Sequence, residues 1–130
     1  MSATSAFSAA GAVAAGGALG SLARHGVNIA IAQMAGRPVP YATAAVNIVG
    51  SGVIGVLAGL IASGRLAMTP TMRTFVFVGV LGGFTTFSSL MLDTLTLAHA
   101  NERTLAMSNV IGQAVIGLAV VYAGYYAAAH

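Results

Sequence analysis

The chain has 130 residues, 58% hydrophobic and only 5% charged. A soluble domain carries about a quarter charged residues, so lipid must be the solvent for most of this chain, which fits one compact transmembrane unit spanning residues 1–130. The net charge of +3 rests on scattered Arg residues with no Lys, which excludes the clustered basic patch of a nucleic-acid binder. The absence of Cys excludes disulfides, thiolate metal sites and a Cys nucleophile, and His25, His99 and His130 lie too far apart to suggest a metal cluster.

A bilayer core about 30 Å thick needs roughly 20 apolar helical residues, and four such segments follow one another. The first runs from about Ser5 to Met34. Its leading stretch MSATSAFSAAGAVAAG lacks the basic n-region of a secretory signal, so it reads as the start of a span and not as a cleaved leader. Arg24 lies about two-thirds along it. A central Arg costs at least about 2.5–3.5 kcal/mol on insertion scales, so it must snorkel or face water or a partner. It is either an interface anchor or a source of positive potential at the mouth of an anion pathway. Gly36, Arg37, Pro38 and Pro40 make a loop.

The second segment runs from about Thr43 to Ser63 and is ended by Gly64 and Arg65. Thr43, Asn47 and Ser51 share one face. Asn47 carries two N–H donors. It is either interhelical glue or an anion ligand, with Thr43 beside it. Thr69 and Pro70 open the third segment, which runs from about Met72 to Ala98. The run LGGFTTFSS interrupts it. Two adjacent Gly and two adjacent Thr weaken a helix, so an unwound turn is predicted within Gly82–Ser89. Freed carbonyls at bilayer depth are tolerated only where protein or an ion satisfies them, and such carbonyls coordinate cations in other discontinuous helices. Phe87 and Ser88 follow; the positive edge of a Phe ring can solvate a small anion, although packing alone also explains a Phe there. Asp93 sits in the second half of this span.

Asn101, Glu102 and Arg103 make a polar turn, and the fourth segment runs from about Thr104 to Ala128, with Asn109 and Gln113 four residues apart. Asp93, Asn109 and Gln113 form either a polar track or a hydrogen-bonded cluster. These runs are long and continuous rather than alternating, which excludes a transmembrane β-barrel. The predicted fold is all-α, four transmembrane helices with the third broken mid-span.

The chain has 17 Gly, several four apart: Gly16 and Gly20, Gly55 and Gly59, Gly79 and Gly83. Small residues at this spacing let helices approach closely in lipid, most simply within one subunit. With four spans both termini share one side. The Arg residues divide almost evenly between the two sides: Arg65 and Arg73 against Arg37 and Arg103, with Arg24 added if it faces the latter side. The positive-inside rule then gives no orientation, which suits either a weak signal or copies that insert both ways and pair head to tail.

Three motifs in order, GGALGSLAR, TAAVNIVGS and LGGFTTFSS, resemble the small fluoride channels of the Fluc (CrcB) family, over about Gly16 to Tyr125. The resemblance implies an antiparallel homodimer of dual-topology subunits with two pores, a structural Na⁺ on the dimer axis held by the carbonyls of Gly82 and Thr85, a pore Asn at Asn47, a pore Phe at Phe87 and a vestibule Arg at Arg24. It implies passive release of fluoride from the cytoplasm across the bacterial inner membrane. The chain departs from the family at Leu90, where a second pore Phe is usual, at Asp93, where Glu is common, at Ala42, where Gly is usual, and at Asn109 and Gln113, which fall roughly where hydroxyl side chains occur. Two other readings fit four short spans: a small multidrug-type proton antiporter, disfavoured because the first span lacks a carboxylate, and a non-conducting partner of a heterodimeric channel, to which Leu90 gives weight. No nucleophile–base pair, carboxylate pair or phosphate-binding loop suggests an enzyme.

Overall fold

The computed structural model describes residues 2–36 and 40–130; Arg37 and Pro38 of the predicted first loop lie outside the described residues. Four spans are long and apolar enough to cross a membrane. They are α1 (Ala3–Ala35), α2 (Tyr41–Ala62), the composite Pro70–His99, and α6 (Arg103–Ala129). The protein is therefore a multi-pass all-α membrane protein. The composite third span comprises α3 (Pro70–Arg73), a π-helical segment (Thr74–Leu81), α4 (Gly82–Phe84) and α5 (Phe87–His99).

Local chemistry sets the ends. Gly64, at φ +72°, takes the left-handed position that closes α2, and its neighbour Leu66 donates its N–H back to Leu60 O at 3.0 Å. Asn101 plays the same part after α5 at φ 66°, with the Glu102 N–H reaching Leu97 O at 3.0 Å. Thr69 caps α3 through Met72 N, at 3.2 Å, with Pro70 in the first turn. Arg65 and Ser63 donate to Ala128 O, so the end of α2 covers the carbonyl end of α6, where a cation is favoured.

The third span changes partner part-way. Its first half, the π segment and α4, packs on α1, whereas α5 packs on α6; α2 and α6 pack along their length. Glycine makes both close contacts possible. A Cβ on Gly16 would lie 2.4 Å from Phe75 O, and one on Gly20 would lie 2.1 Å from Val80 O. On the other pair, a Cβ on Gly55 would meet Val121 O at 2.3 Å and one on Gly59 would meet Tyr125 O at 2.3 Å. Gly79 and Gly83 return the contact from the third span, facing Gly16 and Gly17. The small-residue spacings thus serve packing inside the subunit. The π segment was not legible in the sequence. Its wide i→i+5 turns occupy the stretch that lies on α1, just before the break.

The predicted unwinding is present. Thr85 (φ −86°, ψ 162°) and Thr86 (φ −156°, ψ 116°) are extended, so one peptide step separates two helical halves.

Gly55→Ala is expected to lower the thermal midpoint of the detergent-solubilised protein, at the upper end of the roughly 1–3 kcal/mol that overpacking costs, because its methyl meets backbone that cannot rotate away. Gly26→Ala, with nothing within 4 Å of its added Cβ, is the neutral control in the same melting experiment.

Candidate functional site: a clasped helix break beside a polar cleft

The extended step releases backbone groups that a continuous helix would pair. The Thr86 N–H donates to Asn47 Oδ1 at 2.8 Å, and Asn47 Nδ2 donates to Thr86 O at 3.1 Å. A single carboxamide therefore satisfies both polar groups of the Thr86 residue at membrane depth, where each unsatisfied group is costly. Thr86 also caps α5: its Oγ1 accepts the Ser89 N–H at 3.1 Å and donates to Ser89 Oγ at 3.0 Å. Thr85 Oγ1 donates to Leu81 O at 3.0 Å, closing the α4 side. Gly50 is bare because a Cβ there would lie 2.3 Å from Thr85 Cγ2.

Two of the carbonyls at the break lose their helical donors through these substitutions. The donor four residues beyond Gly82 is Thr86 N, which goes to Asn47. The donor four beyond Thr85 is Ser89 N, which goes to the Thr86 hydroxyl. Among the described residues no backbone N–H reaches either carbonyl outside the helices. Gly82 and Thr85 are the residues that the resemblance singles out for Na⁺, and unengaged carbonyl oxygens suit a hard cation.

The Asn47 amide continues into a chain of side chains. Its Nδ2 donates a second bond to Gln113 Oε1 at 2.8 Å. Gln113 Nε2 donates to Asn109 Oδ1 at 2.9 Å, Asn109 Nδ2 to Thr94 Oγ1 at 3.0 Å, and Thr94 Oγ1 to Leu90 O at 2.8 Å. α2, α5 and α6 are thus stitched by one polar run. The two candidates on α6 join Asn47, and Asp93 does not. Its Oδ2 is buried with no hydrogen-bond partner, one turn beyond Leu90 and outside the run.

A cleft of about 330 Å³ opens beside the break, lined by Asn47, Ser51, Gly82, Thr85, Thr86, Phe87 and Leu90, with Phe77 and Leu81 among its apolar walls. Phe87 is 73% exposed at this cleft, whereas Leu90 is only 6% exposed. Ser51 turns its hydroxyl onto Asn47 O at 2.7 Å. Ser88 is exposed with its Oγ 3.3 Å from Thr86 Oγ1. Thr43 is buried one turn before Asn47 and does not line the cleft, and Arg24 is half-buried on α1, also outside it. A second cleft of about 200 Å³, between α2 and α6, is lined by Ile48, Asn109 and Gln113 with Tyr41, Leu105 and Ser108.

Thr86 and Thr94 are the participants that the sequence does not single out. Thr86 stands in the LGGFTTFSS run, but only the fold shows that its peptide is what Asn47 holds. Thr94 carries no local signal at all.

Four apolar spans, the third broken beside a cleft lined by an amide and hydroxyls, define a small multi-pass membrane protein. The pattern of the CrcB-like protein family (Camphor Resistance, CrcB) matches residues 11–125, and the chain belongs to that family. It is 46% identical over 117 residues to the fluoride-specific ion channel FluC of Opitutus terrae, covering 89% of each chain. It is 45% identical over 112 residues to the channel of the same name from Agrobacterium fabrum, covering 86% of this chain and 89% of that one. It is 47% identical over 116 residues to that of Paracoccus denitrificans, covering 86% and 87%. A member of this channel family is not an enzyme.

Asn47→Leu keeps the side-chain size but strands the Thr86 N–H and C=O. Each stranded group costs about 1–3 kcal/mol. The variant is expected to melt well below the parent, with faster deuterium exchange confined to the peptide covering residues 85–89; unchanged exchange there would remove Asn47 from the brace.

Proposed function

We propose that the chain is a fluoride-selective channel subunit that lets fluoride leave the cytoplasm passively across the bacterial inner membrane. We propose further that it works as an antiparallel homodimer of dual-topology subunits with two pores. The observation that carries the reading is the cleft at the clasped break, where neutral hydrogen-bonding groups and the exposed ring of Phe87 meet at membrane depth, in a chain whose relatives bear the name fluoride-specific ion channel.

Fluoride is small and strongly hydrated, so entering protein at this depth means exchanging water for donors of similar strength. Neutral donors are suited to this, because a channel site must admit the ion and also release it. Ser88 and the positive edge of Phe87 offer donors to the pathway, Asn47 borders it with its amide held on Thr86, Thr43 lies one turn behind Asn47, and Asn109 and Gln113 continue it along α6. Arg24, outside the cleft, contributes positive potential at the vestibule. Gly82 and Thr85 would hold a Na⁺ through the two carbonyls deprived of helical donors; when bound, such an ion adds positive charge close to the anion route and braces the break.

Pairing is supported by surface. The chain exposes 7865 Å², against roughly 6,300 Å² for a folded soluble monomer of this mass. Met107, Ile111, Val115, Leu118 and Tyr122 make one continuous exposed stripe along α6. Lipid and a second copy share such faces, and Phe87 stands on the open side of the cleft. Hydrogen fluoride enters cells neutral and dissociates inside, so a passive leak drives the anion outward down the voltage. The antiporter reading finds no carboxylate in α1.

Purified protein in liposomes is expected to release fluoride rapidly once valinomycin collapses the charge imbalance, read with a fluoride electrode, with no chloride release. A silent preparation of well-formed dimers that conducts after Leu90→Phe would instead indicate a partner subunit whose own cleft is incomplete. Asn47→Asp, which sets a carboxylate against Gln113 Oε1 and in the anion route, is expected to reduce flux at least tenfold. Because the chain has no Cys, a single Cys at Arg103 reports topology directly. Labelling of about half the copies from each side of the membrane supports dual insertion, and labelling from one side alone overturns it.

A further inference from the structure

The polarity of the hydrogen-bonded run follows from one backbone group. The Thr86 N–H can only donate, so Asn47 must turn its oxygen toward it and its Nδ2 away. That Nδ2 then spends one N–H on Thr86 O and the other on Gln113 Oε1, and a carboxamide nitrogen has only two. Gln113 must therefore present Nε2 to Asn109, and Asn109 must present Nδ2 to Thr94. Every donor of Asn47 is consumed, whereas Gln113 and Asn109 each keep one N–H.

The two clefts meet at this run. Asn47 lines the cleft at the break and not the cleft between α2 and α6, and Gln113 the reverse. Their side chains touch across 2.8 Å, with Gln113 8% exposed. An ion crossing from one cleft to the other past Asn47 would part them.

We propose that the Asn47–Gln113 contact is a latch between the two clefts: Gln113 swings off Asn47 to let the anion pass and offers it the spare Nε2 N–H, while Asn47 stays on Thr86 as a positioning residue. This rests on the channel reading above. The contact is a single neutral hydrogen bond, and an anion arriving between the two side chains replaces it with bonds to their N–H groups, so the latch opens without leaving those donors unpaired. Asn47 does not leave with it, since its other two bonds hold the break.

The test compares single-channel fluoride currents in planar bilayers with thermal midpoints of the same preparations. Gln113→Ser, too short to reach Asn47 but still a donor, is expected to raise unitary current at least threefold with chloride still excluded. Gln113→Met, of similar length but with no N–H, is expected to lower it at least tenfold. Parent-like currents in both variants, at parent-like melting temperatures, overturn the latch. The unmodified protein gives a second readout. It has two Gln, Gln33 and Gln113, so side-chain ¹⁵N-Gln labelling in nanodiscs yields two amide signals, assigned with Gln33→Asn. Fluoride, and not chloride, is expected to shift the Gln113 signal; two unmoved signals sink the proposal even if both variants fail to fold. A parent protein that moves no fluoride at all fails the channel reading instead, and is separable because it is measured first.

Discussion

The structure depends on a side chain standing in for a turn of helix. Where the third span unwinds, the peptide groups of Thr86 would face an apolar medium unpaired, and Asn47 of α2 accepts from one and donates to the other. No other side chain type does this as economically. A carboxylate has no N–H and an ammonium has no acceptor, and a hydroxyl that bonded both groups would have no hydrogen left for Gln113, which the second N–H of Asn47 also reaches. The break is therefore stable only where α2 brings a carboxamide to it, and α2 is brought there by its close contact with α6 through Gly55 and Gly59.

The break also divides the labour of the third span. Above it, glycines on both α1 and the third span allow backbone-to-backbone contact, a rigid platform with little polar content. Below it, α5 leaves α1 and runs along α6, where Thr94, Asn109 and Gln113 exchange hydrogen bonds. A continuous helix would have to choose one partner. Two half-helices joined by an extended step use both, and the cleft is the space left at the change-over.

Much of this was legible in the chain. Span lengths came from continuous hydropathy, and the break from Gly82–Gly83 followed by Thr85–Thr86, a local conflict with helix propensity. Asn47 was marked because an amide in lipid must find partners, and the reading of it as glue between helices describes what it touches. Its partner was not legible, because a peptide N–H has no sequence signature. The π segment was equally hidden: TFVFVGVL reads as an apolar helix in any window, and its widened turns reflect packing on α1. Whether Asp93 belonged with Asn109 and Gln113 also needed coordinates. Spacing on α6 put the two amides together, but nothing local fixes the angle at which α5 crosses, and that angle brings Thr94 and not Asp93 to Asn109.

Leu90 is the departure with the most direct structural account. It sits at the inner wall of the cleft, 6% exposed, one turn from the ring of Phe87, and its carbonyl receives the Thr94 hydroxyl that ends the polar run. A leucine there fills apolar volume and keeps the backbone in register but offers no polarised edge. The cleft is consequently asymmetric, with one aromatic ring at its open side and hydrocarbon at its inner wall. Polar contact at that depth must then come from elsewhere in the lining. The lining supplies it through Ser51 and the Asn47 amide of α2 and through the Thr85–Thr86 step, while the α6 carboxamides face the second cleft. α5 thus gives the cleft apolar volume at Leu90 and an exposed ring at Phe87, and its polar lining comes from α2 and from the extended step.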